Sequence, residues 1–147
     1  MKFKLLIDEH AEECVTVVAN KRSSLTDEIE NAVMRYSGGN ELAVYNDNEM
    51  KMLSLDDVEC ISVLGGKCEV IDKSGVRYGV RERLYEIEQR LPNYFIRINK
   101  SAIANEKSIQ SFKSDFGGGV TVIFKCGYSD YVSRRCFADI KRRFKKK

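Results

Sequence analysis

A chain of 147 residues, 43% hydrophobic and 32% charged, has the size and balance of one globular domain, or of one domain with a small extension. No apolar run reaches membrane-spanning length, and the apolar core within Met1–Asp8 is too short for a signal peptide, so a cytoplasmic location is expected. The net charge of +3 conceals a division: residues 1–76 hold 8 Lys/Arg against 15 Asp/Glu, and residues 77–147 hold 17 against 7. A basic C-terminal half suits a polyanion, although a solvated face ending in Lys145-Lys146-Lys147 accounts for the same count.

Residues 2–7 alternate loosely and read as a strand, and the β-branched run 14–19 reads as a second. Ser24 with Asp27 forms a capping signature, and Leu25, Ile29, Val33 and Tyr36 recur at helical spacing, so 24–37 reads as an amphipathic helix closed by Gly38-Gly39. This β-β-α piece, residues 1–40, is near the size at which a domain struggles to fold alone. Its two readings are a dimerisation element and a cap on the rest of the chain.

From residue 41 the pattern changes to short strands separated by turn chemistry: 41–45, 49–53, 58–64, 68–72 and 76–80, with one short helical turn at 54–57. Leu84, Ile87 and Leu91 share one face of a helix predicted over 81–91, which Pro92 stops. Strands follow over 108–114, 120–124 and 128–132, and a basic helix over 134–144 carries Phe137, Ile140 and Phe144 on one face. Residues 41–147 therefore read as a mostly β domain, largely antiparallel, with one helix inside and one appended.

Little here supports catalysis. The single histidine, His10, lies in an acidic loop, which leaves the usual nucleophile–base arrangements without a base. Gly117-Gly118-Gly119 precedes a strand, so it lacks the helix N-terminus that gives phosphate loops their affinity for anions. The five cysteines (Cys14, Cys60, Cys68, Cys126, Cys136) are odd in number and none forms C-x-x-C, so reduced thiols are expected, with Cys68 and Cys126 the more exposed. No metal, cofactor or small-molecule substrate is implied.

The stretch 94–105, Tyr-Phe-Ile-Arg-Ile-Asn-Lys-Ser-Ala-Ile-Ala-Asn, is an apolar strand that turns polar at Asn99-Lys100-Ser101 and then resumes. An amide, an ammonium and a hydroxyl in a row suit phosphate and base edges, and they also suit a plain surface turn. Position decides between these. Phe95-x-Arg97-x-x-x-Ser101-x-x-x-Asn105 follows Leu84–Pro92, and Tyr131-Val132-Ser133-Arg134-Arg135 with Phe137 and Ile140 comes later in order. Together with Asp57–Ile61 and Ile109, these residues resemble the LytTR DNA-binding domain of bacterial transcription regulators over about residues 43–147.

The resemblance implies a β fold in which loops, not a recognition helix, reach double-stranded DNA in successive major grooves. Carried over by motif position, the implied contacts are Lys67 in the first loop, Asn99, Lys100 and Ser101 in the second, and Arg134 and Arg135 in the third. Lys and Arg can pair with guanine and Asn with adenine, while Lys and Ser also hold phosphate. Many members have His at the position of Asn99, and the first-loop residue aligns within one position of Lys67. Members commonly carry a receiver domain ahead of this one. Forty residues cannot hold a receiver, so the chain resembles short stand-alone members, for which a membrane-protein regulator is implied; a homodimer is expected because the apolar face of the 24–37 helix has little local core to bury it. The reading from a different class is a protein-interaction module that works through the acidic N-terminal half.

Overall fold

The computed structural model describes residues 2–11, 14–36 and 40–145. In chain order it forms α1 (Ser24–Tyr36), β1 (Glu41–Asn46), β2 (Glu49–Ser54), β3 (Val58–Leu64), β4 (Lys67–Asp72), β5 (Arg77–Gly79), α2 (Leu84–Glu88), β6 (Phe95–Asn99), β7 (Ala102–Asn105), β8 (Ile109–Ser114), β9 (Val120–Phe124), β10 (Ser129–Val132) and α3 (Arg134–Lys145). Single 3-10 turns at Leu55–Asp57 and Glu106–Ser108 lead into β3 and β8.

Every strand pairing is antiparallel. Seven strands form one sheet in the order β2-β1-β5-β4-β3-β7-β6, and β10-β9-β8 form a second. The central strands are apolar on consecutive residues because both faces of the large sheet are covered. Ile61, Val70, Phe95 and Ile103 point to one core, which contains Leu84 and Ile87 of α2. Their neighbours Cys60, Ile71, Ile96, Ala102 and Ala104 point to the other, closed by Val122, Phe124 and Val132 of the small sheet and Ile140 of α3. The fold is thus mostly antiparallel β with helices attached, as the spacing predicts, with ten strands where the pattern suggested about nine.

Four expectations are corrected. Residues 2–8 and 14–19 form no strand. A strand needs a partner ladder, and among the described residues none pairs with them; Phe3, Leu5, Leu6 and Ile7 remain exposed. The helix predicted over 81–91 shrinks to Leu84–Glu88. Arg83 is extended and its N–H donates to the Glu86 carboxylate at 3.1 Å, while Arg90 and Leu91 close the far end by bonding back three residues. Cys68 is buried along with Cys60, and desolvation pushes its thiol up to about 11. The cap of α1 also falls one residue early. Ser23 and Thr26 bond reciprocally, the Ser23 N–H donating to Thr26 Oγ1 at 2.9 Å and the Thr26 N–H to Ser23 Oγ at 3.4 Å. Gly38-Gly39 lies outside the described residues.

Candidate nucleic-acid interface

The first loop is the β3–β4 turn. Leu64 pairs with Lys67 across Gly65 and Gly66, whose φ values of 59° and 79° make a two-residue turn of the hairpin-favouring kind. Lys67 leaves this turn exposed. The second loop joins β6 to β7. Between Arg97 and Asn99 the register slips by one residue, a bulge that buries Ile98 and Asn99 and leaves Lys100 at the exposed tip. The third is the passage from β10 into α3. Ser133 caps the helix, its Oγ accepting from Cys136 N at 3.2 Å and its carbonyl from Phe137 N at 2.8 Å, so Arg134 and Arg135 open the first turn, both exposed.

These loops lie far apart in sequence, yet hydrogen bonds join all three at one end of the sheets. The Val63 N–H donates to the Ser101 carbonyl at 2.8 Å, tying the first loop to the second. The Ser133 N–H donates to the Ile98 carbonyl at 2.8 Å, tying the third loop to the second. Asn99 makes the remaining link: its Nδ2 donates to the Tyr131 carbonyl at 2.8 Å, and its Oδ1 accepts from Ser101 N at 2.7 Å.

Asn99 is therefore placed differently from the other candidates. It is 2% exposed and both ends of its amide are engaged. In this conformation it shapes the loop end and does not present its own donors and acceptors to solvent. Asn105 at the opposite end of β7 repeats the device. Its Oδ1 accepts from Lys107 N at 3.0 Å and its Nδ2 donates to the Val58 carbonyl at 2.9 Å, while it is 1% exposed. Each asparagine thus caps a turn with its oxygen and reaches a neighbouring segment with its nitrogen.

The charges sort in the same way. Arg77, Arg90, Arg97, Arg142 and Arg143 each pair with a carboxylate. Among the described residues, Lys67, Lys100, Arg134 and Arg135 pair with none, as do other cations such as Lys113 and Lys125. Arg134 reaches towards the β8–β9 loop: a Cβ built on Gly118 would lie 3.7 Å from its guanidinium. Two arginines in the first turn of α3 face the positive end of the helix dipole, a position that costs stability by a few tenths of a kcal/mol up to about 1. Among the described residues no cluster of His, Cys, Asp or Glu could hold a metal ion.

The model of the LytTr DNA-binding domain matches residues 48–145 of this chain. The chain belongs to the LytTr DNA-binding domain family. Its fold matches that of a solved LytTr DNA-binding domain from Bacillus cereus with a TM-score of 0.64 at 18% identity, over 70% of this chain and 94% of that one. Proteins from Staphylococcus aureus strains MSSA476 and MW2, both named as HTH-type transcriptional regulators, are 31% identical over 144 residues, 97% of each chain. Among the described residues no two helices follow one another in the helix-turn-helix manner; α2 and α3 are separated by five strands.

The sequence pattern did not single out Ser133 as the cap of α3 or Tyr131 as the acceptor for Asn99. Ser133 was legible, since a serine directly before a basic amphipathic helix is a capping signal. The bond to Tyr131 spans 32 positions and left no local trace. No helix among the described residues is long and apolar enough to cross a membrane.

Proposed function

We propose that this chain is a cytoplasmic, sequence-specific transcriptional regulator. It reads double-stranded DNA in the major groove through the loop end, with Lys67, Lys100, Arg134 and Arg135 as the contacting cations and Ser101 as a phosphate contact. The observation that carries this reading is the convergence of three loops, sixty-odd residues apart at their extremes, on one end of the sheets with their cations unpaired. Cations left without acidic partners are available to phosphates and to guanine edges. The two arginines at the start of α3 add to this support, because the fold holds them against its own helix dipole. Asn99 enters the proposal as the residue that joins the loops, not as a base contact.

Selection from randomised DNA with the purified protein, followed by mobility-shift titration, tests the reading. About five neutralised phosphates give a log–log salt slope near −4 to −5. A base-edge contact is worth roughly 1–3 kcal/mol at its own position, whereas a phosphate contact acts about equally on all sequences. Arg135→Ala and Lys100→Ala each weaken binding to the selected site. A flat salt response, or parental binding by both variants, overturns the assignment.

A second observation concerns partners. Phe3, Leu5, Leu6, Ile7 and Val18 are exposed, all within the N-terminal segment 1–40. Apolar exposure of this kind marks an interaction surface. We take that segment as the dimerisation element of a homodimer that binds a repeated site.

A further inference from the structure

Arg97 lies beside the proposed DNA-reading loop without being part of it, and its bonds are unusual for a half-exposed arginine. Its Nε donates to Glu88 Oε2 at 2.7 Å and its Nη2 to Glu88 Oε1 at 3.4 Å, a two-point grip on the last residue of α2. Its Nη1 turns the other way and donates to the Lys100 carbonyl at 2.6 Å, with the Asn99 carbonyl at 3.4 Å. One planar guanidinium therefore spans α2 and the tip of the β6–β7 loop. The α2 end of this span is fixed, since Leu84 and Ile87 are buried in the core. At the loop end the bonds of Ser101 and Asn99 hold the residues around the tip, and Arg97 supplies the bond to the carbonyl of exposed Lys100 itself.

We propose that Arg97 is a positioning residue. By bridging Glu88 to the Lys100 carbonyl it sets the orientation in which Lys100 and Ser101 meet DNA. The inference rests on the functional reading above and deepens it. The Arg97 side chain is 30% exposed, so its charge is partly screened and the ion pair itself adds little stability. Its importance lies in geometry. Only a fork of fixed donors can hold a carboxylate on one edge and a carbonyl on the other. A lysine at position 97 keeps the charge and loses the span.

Glu88→Gln separates this account from a plain charge effect. Removing an acid near the loop makes the protein more positive, and by charge alone it tightens binding to every DNA sequence. Loss of the bridge does the opposite at the selected site. Glu88→Gln and Arg97→Lys each weaken binding to the selected duplex by about five- to tenfold, the scale of one weakened charge-assisted hydrogen bond. Binding to a scrambled duplex of the same length stays within about twofold of the parent, or tightens for Glu88→Gln. Far-UV circular dichroism and thermal melts confirm that both variants fold.

Amide hydrogen exchange on the free protein gives a readout independent of DNA. The Ser101 amide, held by Asn99, exchanges faster in both variants, while the Asn105-linked Lys107 amide at the far end of β7 does not change. Parental affinity and parental Ser101 exchange in both folded variants overturn the clamp. If the parent selects no DNA site, the functional reading falls instead, and the exchange arm alone decides whether Arg97 orders the turn.

Discussion

At the scale of single residues, the informative comparison is between the two asparagines of β7's flanks. Asn99 and Asn105 make the same kind of bonds and are both buried, but they sit at opposite ends of the β6–β7 hairpin, Asn99 closing β6 and Asn105 closing β7. Truncating either removes the partner of a turn amide and of a neighbouring carbonyl, which costs about 1–3 kcal/mol. Asn99→Ala and Asn105→Ala should therefore lower stability by similar amounts in urea titrations. Their effects on DNA should differ. The bonds of Asn99 run to Tyr131 and Ser101 at the loop end, so Asn99→Ala weakens binding to a selected site at temperatures where the variant remains folded. Asn105→Ala, measured under the same conditions, binds as the parent does. Equal losses of affinity in the two variants would mean that Asn99 acts only through global stability. The same logic separates Arg97 from Arg143. Arg143 pairs at 2.6 Å with Glu106 and bonds to the Asn93 carbonyl, which fastens α3 to the turns flanking the β6–β7 hairpin. Arg97 takes Glu88 instead, which leaves Glu106 to Arg143.

At the scale of elements, the β3–β4 turn carries a prediction of its own. Both glycines have positive φ, and an added Cβ at either meets nothing within 4 Å. Their requirement is therefore conformational and not spatial. Gly66→Ala forces a side chain into the left-handed region at a cost of about 1–2 kcal/mol. Gly65→Asn is tolerated, because Asn followed by Gly suits this turn. Equilibrium unfolding of the two variants should separate them by about 1 kcal/mol or more, and a destabilised Gly65→Asn would show that the turn differs from the one described. The elements also show what a sequence can and cannot reveal. Val58–Leu64 and Val120–Phe124 were legible to the residue, since long β-branched and apolar runs between turn residues leave one reading. The insertion of β5 between β1 and β4 was not legible, because it rests on single-residue pairing such as Tyr45 with Gly79 and on contacts far apart in the chain. The site divided in the same way. Motif positions nominated cations in three loops, and the structure leaves these exposed, but the burial of Asn99 follows from a bulge that no local pattern announces. The N-terminal runs 2–7 and 14–19 have strand-like residues and no strand, since propensity without a partner ladder does not make a sheet.

At the scale of the whole molecule, that last mismatch bears on assembly. Val15 and Val17 line an apolar groove with Thr26, Ile29 and Val33 of α1, so residues 14–19 run along the helix they precede. The opposite inventory is exposed: Phe3 at 89%, Ile7 at 86% and Val18 at 94%. Fully burying one such side chain contributes about 1.5–3 kcal/mol, so a single copy forgoes a substantial stabilisation that a second copy could supply. Two-fold pairing would also give each strand-like run the backbone partner that it lacks within one chain. The full chain should therefore sediment as a dimer at micromolar concentration in analytical ultracentrifugation. A variant lacking residues 1–40 should sediment as a monomer. If its β portion keeps the parental circular dichroism, it should still shift DNA carrying one copy of the selected site while losing cooperative binding to two spaced copies. The outcomes on the other side are equally definite. A monomeric full-length protein removes the dimer proposal. A truncated chain that fails to fold assigns residues 1–40 to capping the β sheets, the other reading that the sequence allowed for this segment.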